Sequence, residues 1–361
     1  MPSRRLLLAA AMGLVLTLII GVTSLGDRPK ADTQLKPAPA QLTAEQTLEV
    51  GMHIKNIYNH SLKDKTFKAE GWFWLKWPEA VQQLISSNAI ALTELVELVN
   101  QVEGHDSTLE LDSNAPIALS GGRYLQVYRF SSIFYDDQQN LRNFPFETLE
   151  LPISLETRPS QFSMGSEAIV LKPVLKPGEL LGESVSLNGY SVSGASTSTA
   201  IHTYTTSFGE ELEQGAGDYS MVTFEVRYRT NGWAAFYRYV LPWLAVMMIL
   251  LIAPNLDSQL NDLRLAIPST ALLTLVFLQE GAHADLPALD YLTYLDKLYL
   301  FGYLAATAQF CLFVWSTNLI SRCGDAVQKQ TIQRIERVDL VYQLTTLTGG
   351  LVLLLLAIAR F

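Results

Sequence analysis

The sequence contains almost no cysteine. Its 361 residues include two, Cys311 and Cys323, and both lie in the last third of the chain. No disulfide can therefore form in the long region before residue 311, which excludes a small domain stabilised by disulfides. A packed core or contacts between subunits have to stabilise that region instead.

Basic residues are also scarce, since 26 Lys and Arg stand against 35 Asp and Glu, with a formal net charge of −9. No stripe of Lys and Arg with interleaved aromatic residues occurs, so we expect no nucleic-acid partner. The histidines are scattered, which argues against a metal site. No phosphate-binding loop, dinucleotide fingerprint or Ser/His/Asp order is present, so we expect neither an enzyme nor a cofactor.

What the chain does have begins with a hydrophobic N-terminus. Arg4 and Arg5 precede a long apolar stretch and then small residues, a pattern typical of a signal peptide over 1–26. An uncleaved N-terminal anchor stays open, because the stretch is long and lacks an Ala-x-Ala site. Under either alternative the residues after 26 are exported. The Pro-containing polar segment 27–45 indicates a flexible linker.

Residues 46–230 are dominated by alternating apolar and polar positions. Strands are predicted at Thr47–Ile54, Phe67–Trp77, Arg123–Phe130, Leu149–Glu156 and Val222–Arg229. Turn residues fall between them, and this pattern predicts an antiparallel, immunoglobulin-like β-sandwich. Trp72 and Trp74 share one face of their strand and are expected in the core or in interface packing. The segment 78–101 could hold a helix.

Residues 231–361 contain four apolar segments long enough, or nearly so, to cross a bilayer as helices. They are Tyr239–Pro254, Leu263–Ala284, Leu289–Leu319 and Val338–Phe361. The second carries polar side chains, which at membrane depth usually face a protein interior or a water-filled path. Arg322, Lys329, Arg334 and Arg337 mark the third connection as cytoplasmic, which leaves the N-terminal domain outside. We expect a multi-pass protein of the inner (plasma) membrane with a periplasmic domain.

Three local features carry a family resemblance. Phe144, Pro145, Phe146 and Glu147 form an aromatic turn before the strand at Leu149, Pro242 lies early in the first apolar segment, and Leu286–Asp296 leads into the third. Together they resemble the pentameric ligand-gated ion channels, the Cys-loop receptor superfamily in its prokaryotic form. The resemblance extends from about Leu48 to the C-terminus, and it implies a homopentamer in a lipid bilayer that opens with a small-molecule or ionic agonist.

The resemblance also implies a coupling interface. The turn from Phe144 through Pro145 and Phe146 to Glu147 would press on the linker that carries Leu286, Pro287 and Tyr291. Arg229 lies close to the family's pre-membrane arginine, although Thr230 occupies the matching position. Asp137 and Leu151 occupy the positions of the bridging cysteines, so the bridge is absent, as in bacterial relatives.

The family lines its pore with the second helix, and steps of three and four residues select one face of a helix. This face comprises Asp262, Ala266, Thr270, Leu273, Phe277 and Glu280. Leu273 and Phe277 would form a hydrophobic gate, and Asp262 and Glu280 would favour cations. Pro268 within the helix could kink it, and the bulk of Phe277 could block it. These two residues keep open the alternative of a non-conducting, membrane-anchored sensor of the same fold.

The ligand is expected at the hairpin that runs from Tyr204 to Tyr219. Tyr204, Phe208 and Tyr219 are the candidate contacts, and the acidic tip of the hairpin suits an amine or a divalent cation. The ordinary alternative is a solvated loop with core tyrosines. A third reading of the whole chain is an unrelated β domain on a four-helix anchor, which would be monomeric.

Overall fold

A computed structural model describes residues 35–37, 47–102, 104, 107–137, 139–158, 169–175, 178–205, 217–257, 260–322 and 328–358. The predicted export segment 1–26 lies outside them. The described residues form two compact units. The β-rich unit comprises 35–139 and 148–230, and the helical unit comprises 140–147 and 231–358. The loop 140–147 therefore belongs to the helical unit, although it connects two strands.

The described part of the β-rich unit consists of strands, one α-helix and a short 3-10 helix (Leu92–Glu94). The strands are β1 (Leu35–Pro37), β2 (Thr47–Ser61), β3 (Thr66–Pro78), β4 (Val96–Leu98), β5 (Gln101–Val102), β6 (Thr108–Leu111), β7 (Ile117–Leu119), β8 (Arg123–Tyr135), β9 (Thr148–Thr157), β10 (Val170–Pro173), β11 (Leu181–Ser184), β12 (Tyr190–Thr203) and β13 (Asp218–Thr230). One sheet has the order β1-β12-β13-β9-β4, and the other has β10-β2-β3-β8-β5 with β6, β7 and β11 attached. Helix α1 (Glu79–Ser87) follows β3, within the segment that could hold a helix.

The two sheets contribute to one hydrophobic cluster. Alternate residues of β3, such as Phe73 and Leu75, are buried together with Phe224 and Val226 of β13. This is the pattern expected where a strand has one apolar face and one polar face. Buried tyrosines keep a partner for the hydroxyl, and Tyr228 donates a hydrogen bond to the carbonyl of Val185 at 2.6 Å.

Three details differ from the sequence prediction. Trp72 and Trp74 are half-buried on the face opposite the core, so the core alternative is wrong and interface packing stays a prediction. The second sheet is mixed, because β10 and β11 pair with β2 in parallel. Neither strand follows β2 directly, so no hairpin sets its direction. Within the predicted linker, β1 pairs with β12 as an edge strand.

The helical unit contains four helices that are long and apolar enough to cross a membrane, as a multi-pass membrane protein requires. The first span consists of α2 (Gly232–Ala235), a π-helical turn (Phe236–Val240) and α3 (Leu241–Ile252). The others are α4 (Asn261–His283), α5 (Tyr294–Ser321) and α6 (Gln328–Ile358). Helix α4 continues through Pro268, and α6 begins before the predicted Val338 because its polar first turns are helical too.

Candidate functional site

The loop 140–147 is a tight, largely buried structure. The N–H of Phe144 donates to the carbonyl of Leu141 at 3.0 Å, and the N–H of Phe146 donates to that of Asn143 at 2.8 Å. The peptide bond between Phe144 and Pro145 is cis. Phe144 and Glu147 are 3% and 2% exposed. The aromatic turn is thus part of a packed interior and not a solvated tip.

Carbonyl groups of this loop cap the N-terminus of α5. The N–H of Tyr294 donates to the carbonyl of Arg142 at 2.8 Å, and the N–H of Leu295 donates to that of Phe144 at 3.2 Å. The first N–H groups of a helix have no partner within the helix. The loop supplies these partners. A displacement of the loop therefore either breaks these hydrogen bonds or moves the start of α5 with it.

Side chains strengthen this contact. The Phe144 ring meets Tyr239 edge-on at 5.1 Å, and the Phe146 ring lies 6.2 Å from Tyr294. The predicted Tyr291 does join the loop, but its hydroxyl accepts from the N–H of Leu141 at 3.0 Å. Leu286 is buried and Pro287 half-buried, and their expected contact with the two phenylalanines stays a prediction.

Asp296, which the sequence reasoning missed, joins the start of α5 to the end of α4. Its Oδ2 accepts from the backbone and hydroxyl of Thr293 at 2.9 and 2.8 Å, completing a capping box. Its Oδ1 contacts Nε2 of His283 at 2.6 Å and accepts from Nε2 of Gln279 at 3.3 Å. The sequence signal was the Thr-x-x-Asp spacing in Thr293–Asp296. Hydrogen bonds thus connect the loop 140–147, the first turn of α5 and the last turns of α4.

Helix α4 has two distinct faces. All six residues predicted to line a pore are exposed in the single chain, and Leu273 and Phe277 are 56% and 67% exposed. The buried face carries Arg264, Pro268, Ala271, Leu275 and Ala282. Steps of three and four residues separate most of these, which is the spacing of one helix stripe. The other stripe is available to line a shared surface.

A second cluster lies in the β-rich unit around Glu156, which is 1% exposed. Its Oε2 contacts Nδ1 of His202 at 2.7 Å, and its Oε1 accepts from the hydroxyl of Tyr204 at 2.7 Å. The rings of Tyr204 and Tyr219 meet edge-on at 5.4 Å, and the ring of His202 is 4.2 Å from that of Tyr204. Two of the predicted ligand residues are therefore neighbours, and Phe208 lies outside the described residues.

Strand order explains why this carboxylate is buried on the polar face of β9. Glu156 continues the outward row of Glu150 and Ser154, but the aromatic residues where β12 ends cover it. Burial, followed by the hydrogen bond to Glu156, raises the pKa of Tyr204, so its hydroxyl stays a donor. Both oxygens of the carboxylate therefore have partners within the chain. Glu156 and His202 had no local sequence signal.

The remaining candidates are placed as follows. Arg229 is exposed near the end of β13, where it pairs with Thr148 and Ser191 across the strands. Among the described residues, no group of three or more His, Cys, Asp or Glu side chains could hold a metal ion. No protein-family model matches the chain, and no curated protein matches it either.

Proposed function

We propose that the chain is the subunit of a ligand-gated ion channel. Its N-terminal domain would be an immunoglobulin-like β-sandwich in the periplasm, and five copies would surround one pore in the inner membrane. The proposal rests on the resemblance of the aromatic turn and the Leu286–Asp296 segment to pentameric channels. It involves no enzymatic step, cofactor or nucleic acid.

The observation that carries the proposal is the connection from the loop 140–147 to α4. The loop caps α5 through two carbonyls, and Asp296 in the first turn of α5 contacts His283 and Gln279 of α4. The loop follows β8 and precedes β9, so it is one segment through which the chain passes from the β-rich unit into the helical unit, and Asn231, directly after β13, begins another. An agonist bound to the β-rich unit would shift the equilibrium between the closed and the open pore. The conformational change would be transmitted through the loop 140–147 and the start of α5 to α4.

The exposed stripe of α4 supports a pore. Leu273 and Phe277 from several copies would form a narrow apolar ring that stops ions by dewetting. Asp262 and Glu280 lie at the two ends of the same stripe, where rings of carboxylates attract cations and repel anions at short range. The proposed channel is therefore cation-selective.

The Glu156 cluster is the proposed agonist site. A small organic cation would contact the π faces of Tyr204 and Tyr219 and would be attracted by the charge of the buried Glu156 beneath them. Glu156 lies near the far end of β9, the strand that begins directly after the loop 140–147. Occupation of the site would thus act on a strand that is joined directly to the loop 140–147.

Recording currents from the purified full-length protein in planar bilayers tests the function. Leu273→Ala is expected to ease opening, because it shrinks the apolar constriction, whereas Leu344→Ala on α6, which is similarly exposed, is the matched control. Phe144→Ala is expected to lose the response to ligand while the pore survives, with the exposed Phe310→Ala as its control. If the currents of the Leu273 and Phe144 variants equal those of their controls, the proposed channel function is contradicted.

Phe277 favours a second candidate, a non-conducting sensor. Its large ring, 67% exposed, would fill the centre of a ring of five subunits. A pentamer that binds an organic cation but never conducts, even as Phe277→Ala, would support this candidate. A protein that is monomeric in detergent would support the third candidate, a β domain on a four-helix anchor.

A further inference from the structure

Helix α4 carries an arginine that is 1% exposed, although it lies within a span apolar enough for a membrane. The guanidinium of Arg264 pairs with Oδ2 of Asp339 on α6 and lies 4.2 Å from the centre of the Phe313 ring on α5. Its Nε and Nη1 have no hydrogen-bond partner among the described residues. Charges at membrane depth are costly, so a pair kept there generally has a functional role.

The same face of α6 makes a second polar contact, with the C-terminal end of α3 and the residues that follow it. Gln343, one helical turn after Asp339, donates to the carbonyl of Leu251 at 2.8 Å and to Oδ1 of Asn255 at 3.0 Å. Residues four apart lie on one face of a helix. Helix α6 therefore binds the chain on both sides of the connection between α3 and α4.

The other face of α6 is apolar and exposed, as shown by Leu340, Leu344, Leu347 and Leu351. The packing of α6 against α4 does not require a buried ion pair, because a well-packed apolar pair in its place is often equally stable. What an ion pair adds is direction, since the guanidinium and the carboxylate have to meet in a defined geometry. The pair can thus fix how α4 is rotated about its own axis.

The rotation matters because of where Arg264 lies. It is two residues after Asp262 and two before Ala266, which places it about 200° around the helix from each. We propose that Asp339 and Gln343 form a clamp that sets the rotation of the inner half of α4, and thereby turns Asp262 and Ala266 away from the bundle. This rests on the proposed function insofar as that face lines the pore. Asp339 is then a positioning residue on a helix that lines no pore.

Labelling rates of single cysteines test the clamp without any current. In a Cys311→Ser, Cys323→Ser background, the exposed Ala266→Cys is expected to react with a water-soluble thiol reagent faster than the half-buried Leu265→Cys. Replacing the pair by Arg264→Leu with Asp339→Leu should leave the thermal midpoint near that of the parent but bring the ratio of the two rates toward one. The charge swap Arg264→Asp with Asp339→Arg should restore the ratio.

Glu336→Gln, an exposed change one turn earlier on α6, is the matched control and should leave the ratio unchanged. An unchanged ratio in the double leucine variant would overturn the clamp. If that variant does not fold, the same ratio is measured for Gln343→Leu and Asp339→Asn. A ratio closer to one is expected, and an unchanged ratio would overturn the clamp. If the ratio of labelling rates changes but the protein carries no current, the clamp stands and only the channel is contradicted. The two proposals can therefore fail separately.

Discussion

At the scale of single residues, His60 at the end of β2 predicts a pH-dependent stability. Its ring is half-buried beside Tyr190, and burial lowers its pKa from 6.5 to about 4. Between these values the unfolded chain binds the proton more readily, so stability is full above pH 6.5 and falls as the pH drops toward 4. The loss should reach about 3 kcal/mol.

Thermal midpoints of the full-length protein between pH 7 and 4 measure this effect. His60→Gln should flatten the pH dependence, whereas His53→Gln, whose ring bonds the carbonyl of Glu179, should not. A parent and a His60→Gln variant that lose stability in parallel would show that other groups control the acid sensitivity.

Glu156 carries the second prediction at this scale. Glu156→Gln keeps the size of the side chain but removes the charge, so the affinity for a small organic cation should fall about tenfold or more. Calorimetric titration of the purified protein with a panel of primary amines measures it. Glu150→Gln, exposed on the same strand, is the control. Equal amine affinity in both variants would remove Glu156 from the ligand site.

Local alternation predicted the core face of β9 but not the burial of Glu156 on the opposite face. The buried positions Leu149, Leu151, Ile153 and Leu155 follow the predicted face of β9. The burial of Glu156 depends on His202, which is 46 residues away in sequence. A contact across strands leaves no pattern within either strand, so the sequence could not reveal it.

At the scale of elements, the capped start of α5 should transmit the signal. Asp296→Ala removes the capping box and the contacts with Gln279 and His283, and the loss of a cap alone costs about 1 kcal/mol. We expect a protein that still binds the agonist but responds weakly in bilayer recordings. Asp290→Ala, exposed in the preceding segment, is the control. A full response from Asp296→Ala would place coupling elsewhere.

Elements were predictable where periodicity was strong. The strands β2, β3, β8, β9 and β13 and the four apolar helices follow from alternation and hydropathy, and those predictions are confirmed. The long strand β12 was missed, because its Ser-, Thr- and Gly-rich sequence lacks an apolar alternation. The parallel pairing of β10 and β11 with β2 was missed, because short strands after long connections have no register signal. The polar start of α6 at Gln328 was missed because hydropathy marks where a helix is apolar and not where it begins.

At the scale of the whole molecule, the sequence indicated two parts but not which part holds the loop 140–147. Strands flank this loop on both sides, so the alternation alone assigns it to the β-rich unit. Its place with the helices follows from backbone bonds to Tyr294 and Leu295, which any residue type could make. Only the family resemblance of the aromatic turn suggested a contact with the segment before α5.

The assembly is the prediction on which the proposed function depends most. One copy leaves Leu273 and Phe277 exposed on a stripe that also carries Asp262 and Glu280, and a lipid environment would not stabilise those carboxylates. A closed ring resolves this conflict, because it turns the stripe toward water on the symmetry axis and leaves the apolar faces of α3 and α6 to lipid. Mass measurement and particle images of the detergent-solubilised protein should show five copies of the chain. Single copies would leave the acidic stripe in lipid, and the channel hypothesis would then fail.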